Sequence, residues 1–218
     1  MTVAQNLASV RERIARAGRD PNEVAIVAVT KGFDVSVCRD AMAAGLPKLG
    51  ENRVQEALAK MDLLPEAEWH LIGHLQTNKA RQAAGRFALI QSVDSVRLAE
   101  VIARLAPLQP VLVEVNVARE PQKSGADPAE AMEVITAAAG MLDLQGLMGM
   151  GPAQGDPAEA FAELRELRDE AEQRLGTKLP ILSMGMSGDF EAAVAAGSTM
   201  LRLGRVLFGP RPATSIVV

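Results

Sequence analysis

A lysine stands at the end of an apolar run near the amino terminus, in the stretch VAIVAVTKG. Lysine is among the residues least often buried. Burial of its ammonium group lowers the pKa and exposes a free amine, which attacks carbonyl compounds and forms Schiff bases. If the run is a strand, Val27, Val29 and Lys31 share one face because side chains alternate. The stretch therefore predicts a carbonyl-reactive amine at Lys31, with a lysine that reaches solvent from a strand end as the alternative.

A glycine-rich turn that contains a serine precedes a helix-like stretch near the carboxyl end, in SMGMSGDFEAAVAAG. Backbone N–H groups at such a turn, with the hydroxyl group of Ser187, can hold a phosphate. Gly204 and Arg205 follow the next predicted strand and lie beside this turn if the strands are neighbours. An ordinary helix cap is the alternative. A reactive lysine and a phosphate site in one pocket predict a phosphorylated aldehyde as the ligand.

An arginine interrupts another apolar run, MLRL, at position 202. A buried arginine is costly unless its charge is paired. Two interpretations of Arg202 are open: an acceptor atom of a ligand, or a carboxylate of the chain such as Glu114 or Glu51.

Eight short apolar runs alternate with alanine-rich amphipathic stretches along the chain. This alternation predicts a parallel sheet, and eight units in 218 residues suit a closed (β/α)8 barrel. An open doubly wound sheet is the alternative. No linker divides the chain, so residues 1–218 are expected to form one domain. The predicted strands are 24–30, 47–50, 69–73, 88–93, 110–117, 144–150, 180–184 and 199–204, and the predicted helices are 4–18, 35–45, 54–61, 77–85, 95–106, 127–140, 156–176 and 187–197.

Composition excludes several classes of protein. The net charge of -4 gives no basic surface for nucleic acid, and no apolar run has the length of a membrane span or a signal peptide. Cys38 is the only cysteine, which is expected to be a packing residue on a helix. His70 and His74 lack the glutamate of an HExxH motif, so no metal site is predicted. A cytoplasmic protein is expected.

Several motifs resemble the YggS/PROSC family of pyridoxal phosphate homeostasis proteins: AVTKG, LGENRVQE, WHLIGHLQTNK, SVDS, GLMGM and LSMGMSGDFEAAVAAGSTMLRLG. The resemblance covers about residues 5 to 210. It implies the barrel found at the amino terminus of alanine racemase, called fold type III among proteins that bind pyridoxal 5′-phosphate (PLP). Arg53 stands where the family often has tyrosine, so the chain departs from the family's pattern at this position.

The resemblance also implies roles for individual residues. Lys31 matches the lysine that forms the Schiff base with PLP, and Arg202 matches the arginine that faces the pyridine nitrogen. Ser187 matches the phosphate-binding serine, and the backbone of Gly204 and Arg205 matches the second phosphate loop. Asn52 and Met150 match residues that line the ring.

Three classes of function could use such a site. The resemblance favours a protein that stores or delivers PLP without robust turnover and with no catalytic residue. Its expected partners are PLP and apo forms of PLP-dependent enzymes. An amino-acid racemase is the main alternative, but related racemases use a tyrosine from a second domain of a partner subunit. This chain has no tyrosine and no room for that domain, which also predicts a monomer. An aldolase that uses lysine alone is the third class.

Overall fold

The computed structural model describes residues 1–211 and contains a closed barrel of eight parallel strands. The strands follow one another around the barrel in chain order, and β8 pairs with β1. The predicted (β/α)8 barrel is therefore confirmed, and the open sheet is wrong. The strands are β1 (Ala25–Val29), β2 (Lys48–Glu51), β3 (Glu68–Leu71), β4 (Leu89–Val93), β5 (Pro110–Val115), β6 (Asp143–Gly149), β7 (Ile181–Ser183) and β8 (Met200–Leu203).

Helices surround the barrel, and α1 precedes the first strand and packs against α2, α8 and α9. None of the helices in residues 1–211 is long and apolar enough to cross a membrane. They are α1 (Val3–Arg16), α2 (Val35–Ala43), α3 (Val54–Met61), α4 (Ala80–Ala83), α5 (Val96–Leu105), α6 (Ala131–Met141), α7 (Ala158–Leu175), α8 (Phe190–Ala195) and α9 (Arg205–Phe208).

Helix ends follow the side chains that are available to cap them. Ser95 accepts a hydrogen bond from the backbone N–H of Leu98 and caps α5. The predicted helix 77–85 is instead a 3₁₀ turn over Thr77–Lys79 followed by the short α4. Neither piece has a side-chain cap, and the backbone N–H of Lys79 donates instead to the carbonyl oxygen of Gln76 at 2.8 Å, a bond of the tighter 3₁₀ type.

Apolar side chains fill two regions. The larger lies between the strands and the surrounding helices and includes the buried Cys38. A small cluster fills the barrel interior, where alternate residues of the strands point inward. Its members are Val27, Leu89, Leu112, Met148 and Met200.

Candidate functional site

A cavity of about 960 Å³ opens at the carboxyl ends of the strands, above the apolar interior cluster. Barrel enzymes hold their ligands at this face, and the volume suits a small-molecule ligand. All the site residues predicted from the sequence line this one cavity, although they are spread over most of the chain. These residues are Lys31, Asn52, Met150, Ser187, Arg202, Gly204 and Arg205.

Lys31 lies two residues beyond the end of β1 and lines the cavity together with Val29, as strand alternation predicts. Burial lowers the pKa of its amine below the ordinary value, and the positive charges of Arg211 and Arg202 lower it further. Glu51 and Glu56 oppose this effect without reversing it. Lys31 therefore has more free amine at a given pH than an exposed lysine, as a nucleophile toward a carbonyl group requires.

Arg202 lies on β8 and is 4% exposed. It donates hydrogen bonds to the backbone oxygens of Ser183 (2.8 Å) and Gly149 (2.8 Å) and to Ser183 Oγ (2.7 Å). The proposed pairing with Glu114 or Glu51 is wrong, since the carbonyl ends of β6 and β7 supply its hydrogen-bond acceptors. Burial lowers its pKa to about 10, so it is charged at neutral pH. Two of the five N–H groups of a guanidinium are left for other acceptors.

A chain of hydrogen bonds inside the barrel holds Arg202 in place. Because Ser183 Oγ accepts from the arginine, its own proton goes to Gln91 Oε1 at 2.7 Å. The amide of Gln91 then donates to His70 Nδ1 at 2.9 Å, which places the ring proton on Nε2. Burial lowers the pKa of His70 to about 4, consistent with a neutral ring. His70 is thus a structural acceptor beneath the cavity.

Glu114 lies on β5, is 2% exposed and lines the cavity. Its Oε2 atom has no hydrogen-bond partner within residues 1–211. Burial raises its pKa to about 7, although the charge of Arg202 acts in the opposite direction. The sequence pointed to Glu114 as a candidate partner for Arg202. A charged residue inside the apolar run VLVEV was the signal for a second role.

The loops after β7 and β8 meet at one end of the cavity. Ser187 Oγ accepts a hydrogen bond from the backbone N–H of Val206 at 3.2 Å, which joins the two loops. A side chain at Gly204 would press on the backbone of β1, since a Cβ atom there would lie 3.3 Å from the carbonyl oxygen of Val29. The serine hydroxyl and the neighbouring backbone therefore form the end of the cavity best suited to an anion.

Residues of the cavity mouth were missed by sequence reasoning. His74 Nδ1 lies 3.0 Å from Asp94 Oδ2, and Lys123 donates to the backbone oxygen of Gly151 at 2.7 Å. Both side chains are therefore held by protein groups at the edge of the cavity. Arg211 also lines the mouth. Within residues 1–211 there is no cluster of three or more histidine, cysteine or acidic side chains that could hold a metal ion.

Comparison with known proteins gives consistent results. Residues 2–212 match the family described as alanine racemase, N-terminal domain. The chain is 40% identical to a protein of Aquifex aeolicus (strain VF5) named pyridoxal phosphate homeostasis protein, over 97% of this chain and 99% of that one. The structure of this chain is similar to that of PipY of Synechococcus elongatus PCC7942 with PLP bound. The two share 37% identity and a TM-score of 0.84, over 95% of this chain and 100% of that one. Alanine racemase of Clostridium difficile 630 shares the fold at 16% identity and a TM-score of 0.79, over 98% of this chain and 62% of that one.

Proposed function

The chain belongs to the family of pyridoxal phosphate homeostasis proteins, and we propose that it binds PLP in the cavity described above. In this proposal PLP is held as a Schiff base on Lys31, without robust catalytic turnover. The observation that carries the proposal is the convergence of three features in one cavity. They are an amine of lowered pKa at Lys31, an anion-binding end at Ser187 and a buried cation at Arg202.

The chemistry of these side chains fits the parts of PLP. When bound, PLP would supply an aldehyde carbon, and the amine of Lys31 would form a C=N bond to that carbon with loss of the aldehyde oxygen as water. The hydroxyl of Ser187 and the backbone of Gly204 and Arg205 would hold the phosphate. Arg202 would donate one of its two remaining N–H groups to the pyridine nitrogen. Asn52 and Met150 would line the ring, both being part of the cavity wall.

Arg202 also supports a carrier rather than a catalyst. Hydrogen bonds to Ser183 and Gly149 hold its guanidinium group in place. The group facing the ring nitrogen would therefore be a cation. A cation at that position disfavours protonation of the nitrogen, and an unprotonated ring accepts electrons poorly. The absence of tyrosine from the sequence also removes the residue that related racemases pair with the lysine. Both observations favour binding without racemisation.

Lys31 can be tested directly against a second lysine of the same cavity. Lys31→Ala should abolish the covalent adduct that forms with added PLP, measured by visible absorption and by mass spectrometry after borohydride reduction. Lys123→Ala is the control, since the amine of Lys123 is held by Gly151, and this variant should keep the adduct. A Lys31→Ala protein that still holds PLP covalently would overturn the assignment.

We extend the proposal to the whole protein. Residues 1–218 would act as one PLP-binding domain, of which 212–218 lie outside the described part. The protein would be a cytoplasmic monomer that exchanges PLP with apo forms of PLP-dependent enzymes. Sedimentation as a stable dimer would contradict the monomer. Robust racemisation of an amino acid by the PLP-loaded protein would favour the racemase alternative.

A further inference from the structure

A buried charge cluster lies beneath the strand end that carries Lys31. The ammonium group of Lys60, on α3, donates to Glu51 Oε1 at 2.7 Å, to Glu56 Oε1 at 3.1 Å and to the carbonyl oxygen of Thr30 at 3.0 Å. These contacts account for all three N–H groups of the ammonium. Thr30 also donates its hydroxyl proton to Glu51 Oε1 at 2.6 Å. Lys60 is 6% exposed and Glu51 is fully buried.

The cluster holds the backbone on both sides of Lys31. On the amino-terminal side, the carbonyl oxygen of Thr30 accepts from Lys60. On the carboxyl-terminal side, the backbone N–H of Gly32 donates to Glu56 Oε1 at 2.6 Å. Gly32 has a φ of 73°, a left-handed conformation that favours glycine, so the chain turns sharply just after the lysine. One lysine and one glutamate of α3 therefore fix both peptide groups adjoining Lys31.

We propose that Glu56 is a positioning residue for Lys31, holding the turn that presents its amine to the carbonyl carbon of an aldehyde ligand. This inference rests on the proposed function, since it assigns a role toward the group that Lys31 binds. Glu56 reaches the lysine only through the backbone of Gly32 and through its charge. Lys60 keeps Glu56 in place from the other side, and Glu51 anchors Lys60.

The charge of Glu56 has a second effect, which the same experiment can measure. The charged groups that act on Lys31 are Arg211, Arg202, Glu51 and Glu56. The two carboxylates favour the ammonium form of Lys31, and the two arginines favour the free amine. Removing the charge of Glu56 therefore lowers the pKa of Lys31 and moves its titration to lower pH.

Two substitutions at position 56 separate these effects. Glu56→Gln keeps an oxygen that can accept from Gly32 and Lys60 but removes the charge, whereas Glu56→Ala removes both. Replacement of Lys60 would be a poorer test because it leaves Glu51 charged and unpaired in the interior. Glu68→Gln is the control, since Glu68 pairs with Lys48 at 2.7 Å at the opposite end of the barrel and loses the same charge.

The experiment measures covalent adduct formation with PLP as a function of pH for the four proteins. The pH dependence of Lys31 acetylation by acetic anhydride, followed by peptide mass mapping, is measured on the PLP-free proteins. For Glu56→Gln we expect both profiles to move to lower pH while the plateau rate with PLP is kept. For Glu56→Ala the plateau rate should fall by about tenfold or more, because a small misplacement of a reacting group is costly. Glu68→Gln should match the wild type.

The outcomes separate this inference from the proposed function. If the wild-type protein forms no adduct on Lys31, the proposed function fails and the inference fails with it. If the adduct forms and both Glu56 variants keep the plateau rate and the profile of the wild type, only the inference is overturned. Equal losses of plateau rate in Glu56→Gln and Glu56→Ala would also overturn it, since the glutamine keeps the acceptor atom.

Discussion

Replacement of Glu114 by glutamine should stabilise the PLP-free protein at neutral and alkaline pH. The side chain is buried beside Arg202, and one carboxyl oxygen has no hydrogen-bond partner within the described residues. Burial raises its pKa from the ordinary 4.5 to about 7. Above that pH the folded protein must hold a poorly solvated carboxylate, which the unfolded chain exposes to water at no such cost. Glutamine has nearly the same shape and no charge.

The expected size of the effect follows from the two pKa values. A shift from 4.5 to about 7 corresponds to about 3 kcal/mol in the free energy of unfolding. A carboxyl group whose pKa is raised in the folded state favours folding fully below its unfolded pKa, and this contribution is lost as pH rises through the folded pKa. The variant should therefore gain little relative to wild type below about pH 4.5 and about 3 kcal/mol above about pH 7.

Urea denaturation of both proteins at a series of pH values measures this difference. The wild-type curve alone would hide it, because His70 titrates over an overlapping range with the opposite sign. The informative quantity is the wild-type free energy subtracted from that of Glu114→Gln at each pH. A difference that stays constant from acid to alkaline pH would refute the assignment of Glu114 as a buried, titrating acid.

Two further predictions concern neighbouring groups. Burial lowers the pKa of His70 from 6.5 to about 4, so its contribution to stability is present above about pH 6.5 and is lost as pH falls through 4. In urea denaturation, the free energy of unfolding of His70→Gln should therefore fall by about 3 kcal/mol less than that of the wild type over this pH range. An equal loss in both proteins at acid pH would contradict this prediction. Ser187→Ala should weaken PLP binding about tenfold in an absorbance titration, the loss of one hydrogen bond to a charged group, whereas Ser124→Ala in the same cavity should bind as the wild type does; equal binding by both variants would refute the phosphate role of Ser187.

The barrel could be predicted from the sequence because its strands carry a local signal. Each strand is short, largely apolar and bounded by a helix-like stretch, and the eight repeats of that pattern determine the architecture. The prediction was wrong at residues 77–85, where an alanine-rich stretch predicted one helix but the structure has a 3₁₀ turn and a short helix, neither with a side-chain cap. Register shifts such as the one between Val111 and Leu112 leave no mark in the hydrophobic pattern.

The polar residues of the cavity could be predicted only in part. Lys31 and Ser187 stand out because they follow apolar runs near strand ends, and Arg202 stands out because it interrupts such a run. The acceptors of Arg202 are two backbone oxygens and Ser183, which depend on how neighbouring strands are staggered. Lys60 lies in a stretch whose pattern predicts an ordinary surface helix, so its burial beneath Lys31 follows only from the packing of α3 on the barrel.

We propose above that Lys31 is the amine that binds the aldehyde of PLP. The most direct measurement is peptide mass mapping of the wild-type protein after incubation with PLP and reduction with borohydride. We expect a pyridoxyl group on the peptide that contains Lys31, with a yellow protein before reduction. A colourless protein with no modified peptide, or a label confined to other lysines such as Lys123, would contradict it.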